Sequence, residues 1–403
     1  MKIVHLMDYY QPWMGYQETY LCLEQARLGH DVWIVTSDRF APRTEKLINN
    51  RFLTPGITKE QGVNIWRLPL YFELHTTNGY VCLKGLKNAL GSIHPDMIHC
   101  HGIISITSLF AACYKRRIHY SLVYDNHTSL LNLFNFGEGS IKKAFKIVSY
   151  QIFAAFVNFT VIPKADSVVA IGEEEEEFLH WLFHGKLSKF PIIHLGADHR
   201  HFTKDLEARS QYRDSYKWDP QDLVLGHAGK IQPSKGIENL IRALALIRDC
   251  KTRIRLFLIG SIDEEYRKNL MAVSFSLNLS ESIFFHPFAS REELPKLLNT
   301  FDIAVWPGDI TNTAIESMAV GLPIVTCRTN YTEAIIEKYS AGILVERNDV
   351  KGLAMALRLL IENDDTRYLS GKNARKAVET ELNWESISKQ FVDLYIDCIK
   401  HEC

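Results

Sequence analysis

The stretch VLGHAGKIQPSKGIENLIRA, residues 224–243, places Lys230 and Lys235 on either side of a turn between an apolar run and a helix-patterned run. A strand-to-helix turn exposes backbone N–H groups at the start of the helix, and these attract anions. Gly229 and Gly236 allow close approach to that backbone, and two ammonium groups offset phosphate charge without demanding one fixed geometry. A diphosphate has the right size for such a turn, and the same groups would stabilise charge developing on it as a leaving group. A solvated turn carrying two unrelated lysines fits this segment equally well. The segment is not a GxxxxGK[ST] phosphate loop, and the first half of the chain lacks GxGxxG, so a nicotinamide enzyme has little support.

A second constellation lies in WPGDITNTAIESMAVGLPIV, residues 306–325. Gly308, Asp309, Thr311, Asn312 and Thr313 form a polar turn after an apolar strand, and a helix is expected over 314–320. Thr311, Asn312 and Thr313 offer donors to a phosphate, or simply cap the helix. Glu316 falls in the expected first turn, where an acid suits the positive helix end. The same carboxylate can instead accept hydrogen bonds from two sugar hydroxyls, such as those of a ribose. The third constellation is histidine-rich. DMIHCHG carries His99 and His101 before Gly102, and VYDNHTS carries Asp125 and His127. No third or fourth ligand has metal-site spacing, so hydrogen-bonding roles are expected and a metal is not. Gly196 and Asp198, after His194, read as a hinge; His227 touches a ligand held at the turn or, equally, packs locally beside Gly229; and Glu333 starts the next helix or contacts the ligand's edge.

These residues need scaffolds. KIVHL, a helix over 16–28 and DVWIVTS make a βαβ opening, followed by strands near 63–70, 97–102, 119–127, 167–171 and 190–198. DLVLGHAG opens a second series that alternates strand and helix through GILVER and a helix over 349–361. The expected architecture is α/β, with two Rossmann-like units joined near 200–220: residues 1–205, completed by a helix over about 385–403, and residues 206–384. The chain has 403 residues and a formal net charge of −1, so no overall field draws in nucleic acid. Eight scattered cysteines without a CxxC pair read as reduced thiols, and no signal segment or long apolar run is visible, so a cytoplasmic location is expected. EEEEE at 173–177 reads as a solvated helix start. Residues 139–166 combine Lys142, Lys143 and Lys146 with an apolar face; a core helix with a wet lysine edge is the preferred reading, and peripheral contact with the inner face of a membrane is the alternative.

Five segments in their order resemble the retaining glycosyltransferases of family 4, which have the GT-B fold: MGYQETYLCLEQARLGHDVWIVTSD, IIHLGADHRHF, GKIQPSKG, ESMAVGLPIV and NWESISKQFVDLYID. The resemblance runs nearly end to end. It implies two domains facing across a cleft, with the second binding a nucleotide sugar and the first holding much of the acceptor. Lys230 and Lys235 then lie beside the donor pyrophosphate, Glu316 holds the ribose, Gly15 sits in a loop close to the donor phosphates, and His127 of HTS hydrogen-bonds the donor sugar. His101 and Asp125 would line the acceptor side. The implied reaction moves a sugar with retention from a nucleotide sugar, UDP in preference to GDP, to a hydroxyl of a carbohydrate, lipid-linked or other acceptor, with no bound cofactor. Polysaccharide, glycolipid or glycoconjugate synthesis follows. The sequence departs from the pattern where a second glutamate is usual, with Gly308 in its place and Asp309 adjacent. That departure keeps a noncatalytic nucleotide-sugar or carbohydrate-binding protein in view, and a nucleotide-sugar epimerase is a further alternative.

Overall fold

A computed structural model describes residues 1–42, 44–45, 49–74, 80–130, 140–184, 190–308 and 310–402. The chain separates into two compact units: Met1–Leu195 with Trp384–Cys403, and Gly196–Asn383.

The first unit is built on strands β1 (Lys2–Leu6), β2 (Asp31–Ser37), β3 (Gly56–Glu60), β4 (Val63–Leu68), β5 (Leu70–Leu74), β6 (Tyr80–Leu83), β7 (Met97–His101), β8 (Ser121–Asn126) and β9 (Ser167–Ala170). Seven of them form one sheet in the order β3-β4-β2-β1-β7-β8-β9, parallel except where the exposed edge strand β3 runs antiparallel to β4. β5 and β6 pair separately. Near-continuous burial along β1, β7 and β8 follows from helices on both faces of a parallel sheet. The C-terminal helix Trp384–Glu402 covers part of one face: Trp384 stacks on Tyr20 at 5.1 Å, and Ile387, Phe391 and Tyr395 pack among Ile3, Leu21, Val123 and Val169. Segment 190–198, expected to be a strand, contributes two isolated bridges, Ala170–Ile192 and Ala197–Asn383.

The second unit holds β10 (Leu223–Ala228), β11 (Ile254–Ile259), β12 (Ile283–His286), β13 (Ile303–Trp306), β14 (Ile324–Cys327) and β15 (Gly342–Val345) in the all-parallel order β12-β11-β10-β13-β14-β15. Two apolar clusters cover its two faces. Residues 196–205 belong here, where the sequence placed them in the first unit. Phe202 is buried in this core, and the Arg375 guanidinium donates to the carbonyls of Phe202 (2.7 Å) and His199 (2.9 Å).

In each sheet one strand, β1 or β10, has its sequence neighbours on one side and a returning strand on the other. Such a switch point splays the turns beyond the carboxyl ends of the strands and leaves a crevice for ligands.

Candidate functional site

In the second unit the switch point lies between β10 and β13, and the two lysine- and threonine-bearing turns follow these two strands. After β10 the chain passes Gly229 at φ 132°, a one-turn helix Pro233–Lys235 and Gly236 at φ 68°, and then enters the helix Ile237–Ala245. These φ values suit glycine and strain any other residue. Lys230 is exposed and Lys235 half-buried. His227, at the end of β10, is fully buried, and its Nδ1 lies 3.0 Å from the Val305 carbonyl. Burial pushes its pKa down to about 4 and the nearby Lys235 charge adds to the effect, while the Val305 carbonyl opposes them. His227 is thus a neutral structural link between the two central strands.

The turn after β13 is locked to the first turn by its threonines. Thr313 Oγ1 donates to the Ala228 carbonyl (2.5 Å), Thr311 and Thr313 hydroxyls bond to each other (2.8 Å), and Trp306 Nε1 donates to Thr311 Oγ1 (3.0 Å). Thr311 precedes the helix Asn312–Val320 without capping it, so its first N–H groups get no side-chain acceptor from that position. Asn312 Oδ1 is buried and has no hydrogen-bond partner among the described residues. The two turns also touch directly. A Cβ on Gly308 would stand 2.2 Å from the Ser234 carbonyl oxygen and 2.8 Å from the Lys235 carbonyl carbon. A side chain at this position would displace the lysine turn from this arrangement. Asp309 lies outside the described residues.

The helix begins two residues earlier than expected, so Glu316 sits in its second turn and not in its first. Complementing the helix end therefore explains it poorly, because that effect fades beyond the first turn. Glu316 is 6% exposed, and no hydrogen bond to its carboxylate is found among the described residues. Burial pushes its pKa up to about 7; Arg291 pulls it down and Asp198 pushes it further up. Arg291 Nη2 is 3.7 Å from Asp198 Oδ2, and its guanidinium lies over the Phe202 ring. Sequence reasoning did not single out Arg291 and read Asp198 only as a turn residue. Their shared signal with Glu316 is spatial and not periodic.

The sign of the Glu316 effect is definite. Its unfolded value is 4.5 and its folded value about 7, so the folded chain holds the extra proton between them. Stability is then fully present below pH 4.5 and falls as pH rises through about 7, by about 3 kcal/mol at 1.36 kcal/mol per unit. Glu316→Gln should raise the second unit's melting temperature at pH 8 by several degrees relative to the unsubstituted chain, with little difference at pH 5. A difference independent of pH would contradict the assignment.

In the first unit, β7 and β8 bring His99, His101, Asp125 and His127 together, as their strand positions suggest. Asp125 is fully buried and is the hub. Its Oδ2 lies 2.8 Å from His101 Nδ1 and 3.2 Å from both His127 Nε2 and His99 Nε2, and Gln17 Nε2 donates to it at 3.3 Å. Its Oδ1 accepts from the Gly102 N–H at 2.8 Å. Burial opposes this charge, yet His101, His127 and His99 hold the carboxyl well below the usual range. Burial also works against charge on His127, but Asp125, with Glu18 and Glu175, lifts it to about 9. His127 is 37% exposed at its side chain and is a charged donor at neutral pH. His5, Gln25 and Tyr395 join the same network and were missed in the sequence because they stand far apart along it. Both His101 nitrogens lie at hydrogen-bond distance from protein partners, Asp125 and His5, and the ligand atoms of His5, His99 and His101, and of His101, Asp125 and His127, lie within 4.8 Å of one another, close enough to hold a metal ion. Gly15, at φ 65°, ends the turn Pro12–Met14 that leads from β1 into the helix Gln17–Arg27.

Two family models and several solved structures match this chain. Residues 19–201 match the family model Glycosyltransferase Family 4, and residues 208–377 match Glycosyl transferases group 1. An uncharacterized glycosyltransferase of Methanocaldococcus jannaschii is 23% identical over 378 residues, covering 92% of this chain and 90% of that one. Among solved structures, sucrose-phosphate synthase from Thermosynechococcus elongatus superposes with a TM-score of 0.72 at 18% identity over 100% of both chains. Anabaena HepE in complex with UDP superposes with a TM-score of 0.71 at 18% identity, covering 98% of this chain and 100% of that one. Two switch-point sheets, the order of their turns and two family models in succession lead to one assignment: the chain belongs to the glycosyltransferases and has the GT-B fold.

Proposed function

We propose that this chain transfers a sugar, with retention of anomeric configuration, from a UDP-sugar to a hydroxyl acceptor in the synthesis of a polysaccharide, glycolipid or other glycoconjugate. The observation that carries the reading is the interlocked pair of turns after β10 and β13. They set two lysines and two helix starts beside one another, with the buried Glu316 one turn further on. In this reading the diphosphate lies against Gly229, Lys230 and Lys235 and against the Thr311–Asn312–Thr313 backbone. Glu316 takes the ribose hydroxyls, replacing a costly unpaired carboxylate with two hydrogen bonds. HepE has also been solved with UDP-glucose, which supports a uridine donor.

Retention is supported by what the first unit offers. His127 is held protonated and Asp125 is fully engaged, so neither is available to take a proton from an incoming hydroxyl. The departing phosphate then serves as the base, the acceptor enters on the face from which the phosphate leaves, and His127 donates a hydrogen bond to the sugar. His101 and Asp125 act here by holding His127 more than by meeting the acceptor. A panel of UDP- and GDP-sugars offered with an acceptor extract, read by mass spectrometry and by proton NMR of the new anomeric centre, tests this. An axial donor should give an axial product; an equatorial product would contradict retention, and turnover of donor without acceptor would favour epimerisation.

Contact with a membrane surface is a second element of the reading. The helix Ser140–Thr160 buries Ala154 and Val157 but exposes Val148 (51%), Ile152 (58%), Phe156 (60%) and Phe159 (79%). This spacing makes one apolar stripe, which a plain core helix would not show. No described helix is long and apolar enough to cross a membrane. The side chains of Lys142, Lys143 and Lys146 lie outside the described residues. Ile152→Ser with Phe156→Ser should reduce co-sedimentation with phosphatidylglycerol vesicles at least fivefold. Unchanged binding would remove the membrane role of this face.

A further inference from the structure

Four side-chain nitrogens converge on one oxygen of the buried Asp125 carboxylate. Its Oδ2 lies 2.8 Å from His101 Nδ1, 3.2 Å from His99 Nε2, 3.2 Å from His127 Nε2 and 3.3 Å from Gln17 Nε2. A carboxylate oxygen has about two lone-pair sites, so these nitrogens compete as donors. His99 loses that competition: it is fully buried, and its Nε2 has no hydrogen-bond partner among the described residues. A buried polar atom left in this state asks for a physical reason, and an ion is an ordinary one.

We propose that His101, Asp125 and His127 form a binding site for a divalent cation of the zinc class. One ligand atom from each of the three lies within 4.8 Å of the others. Ligands of a tetrahedral zinc stand about 3.4 Å apart. The 3.2 Å between Asp125 Oδ2 and His127 Nε2 is already close to that, and the 2.8 Å to His101 Nδ1 has to open by roughly half an ångström. Two imidazoles and a carboxylate suit zinc or cobalt, whereas calcium and magnesium seek oxygen ligands alone. The His127 side chain is 37% exposed, which gives an ion a way in and keeps a fourth position open to water. The neighbouring trio His5, His99 and His101 has ligand atoms equally close, but His5 and His99 are fully buried and no carboxylate is among the three. A dication held by neutral rings alone lacks a counter-charge, which is costly in a buried place.

The surroundings orient these ligands. Asp125 Oδ1 accepts from the Gly102 N–H at 2.8 Å, which turns Oδ2 toward the two imidazoles. With an ion on Nδ1, His101 carries its proton on Nε2, 2.9 Å from His5 Nδ1, and His5 Nε2 lies 2.7 Å from Gln25 Oε1. Each step then sets a donor against an acceptor, the outer-shell support that holds a ligating imidazole in place. The ion also relieves the crowding at Oδ2. It occupies one lone pair and makes His101 and His127 co-ligands, which leaves the other lone pair to Gln17 Nε2 and His99 Nε2. One carboxylate leaves a dication with one unbalanced positive charge, and Glu18 and Glu175, whose charges reach His127, offset it. Binding replaces the proton on His127 Nε2 and leaves the other ring N–H as a donor. The site therefore stands whether or not a transferred sugar lies against His127.

The test titrates cobalt(II) and then zinc into the full chain at pH 8, with no substrate needed. Cobalt should give a visible ligand-field absorption that saturates at one equivalent. One equivalent of zinc should abolish it, and excess magnesium or calcium should not. His127→Ala should lower zinc affinity at least 100-fold, beyond the roughly 10- to 100-fold that loss of an outer-shell partner costs. His184→Ala, at another exposed histidine, should bind zinc as the unsubstituted chain does. A titration without cobalt absorption at one equivalent would overturn the site, and so would equal zinc affinity in His127→Ala. Long-range proton–nitrogen NMR of the unsubstituted chain labelled with ¹⁵N-histidine keeps the proposal open to refutation if the variant does not fold. Zinc should move the His101 Nδ1 and His127 Nε2 signals, and shifts confined to other histidines would overturn the assignment.

Discussion

Replacing Lys235 with alanine is expected to weaken UDP binding by about 10- to 100-fold. Lys235 stands on the turn that leads from β10 into the helix Ile237–Ala245, half-buried between Pro233 and the left-handed Gly236. Its charge is felt at the buried His227, so it lies over the end of the central strand and not out along the surface. A hydrogen bond to a charged group contributes about 1.5–3 kcal/mol, which corresponds to the expected range. Lys230 is exposed and water competes for it, so Lys230→Ala should cost less, roughly threefold to tenfold. Calorimetric titration with UDP at two salt concentrations separates the two. Both losses should shrink as salt rises, Lys230 more steeply. Equal affinities for Lys235→Ala and the unsubstituted chain would remove the lysine from the phosphate site.

Gly308→Ala should be nearly as damaging, although it adds one methyl group and touches no proposed ligand contact. The new Cβ would meet the Ser234 carbonyl oxygen at 2.2 Å, far inside contact distance, and the obstacle is backbone that cannot swing aside. Relief requires the turn 232–236 to move away from the turn after β13. Overpacking of this kind costs about 1–3 kcal/mol. The second unit's melting temperature should fall by roughly 5 °C, and UDP affinity should fall at least tenfold because Lys235 and the helix start move with the turn. Gly91→Ala is the matched control, since a Cβ there meets nothing within 4 Å and it lies inside the helix Leu86–Ile93. That variant should bind UDP normally. Gly308→Glu, which restores the glutamate usual in the family, should bind no better than Gly308→Ala. Improved binding by Gly308→Glu would show that the two turns are not interlocked as described.

Much of this was legible in the sequence, for physical reasons that can be named. Parallel strands buried on both faces leave continuous apolar runs, and these marked β1, β7, β8, β10 and β11. The turns after β10 and β13 announced themselves by glycine, lysine and threonine. What escaped notice had no periodic signature. The helix Asp364–Thr380 buries Ser370, Gly371, Ala374, Ala377 and Val378, a face too small and polar to show a stripe. Its small residues are required: a Cβ on Gly371 would stand 2.4 Å from the Gly321 carbonyl. The start of the helix Asn312–Val320 was misplaced because Thr311 bonds to Trp306 and Thr313 instead of capping it. Arg291 and Asp198 meet Glu316 only through the fold. The histidine network joins residues from β1, β7, β8 and two helices, with Gln25 and Tyr395 separated by 370 positions.

The most direct measurement is a crystal structure of the chain with UDP bound. The diphosphate should lie against the turn from Gly229 to Gly236, with Lys235 on a phosphate oxygen and the ribose hydroxyls on the Glu316 carboxylate. A nucleotide bound elsewhere, with that turn facing open solvent and Glu316 still unpartnered, would contradict the account.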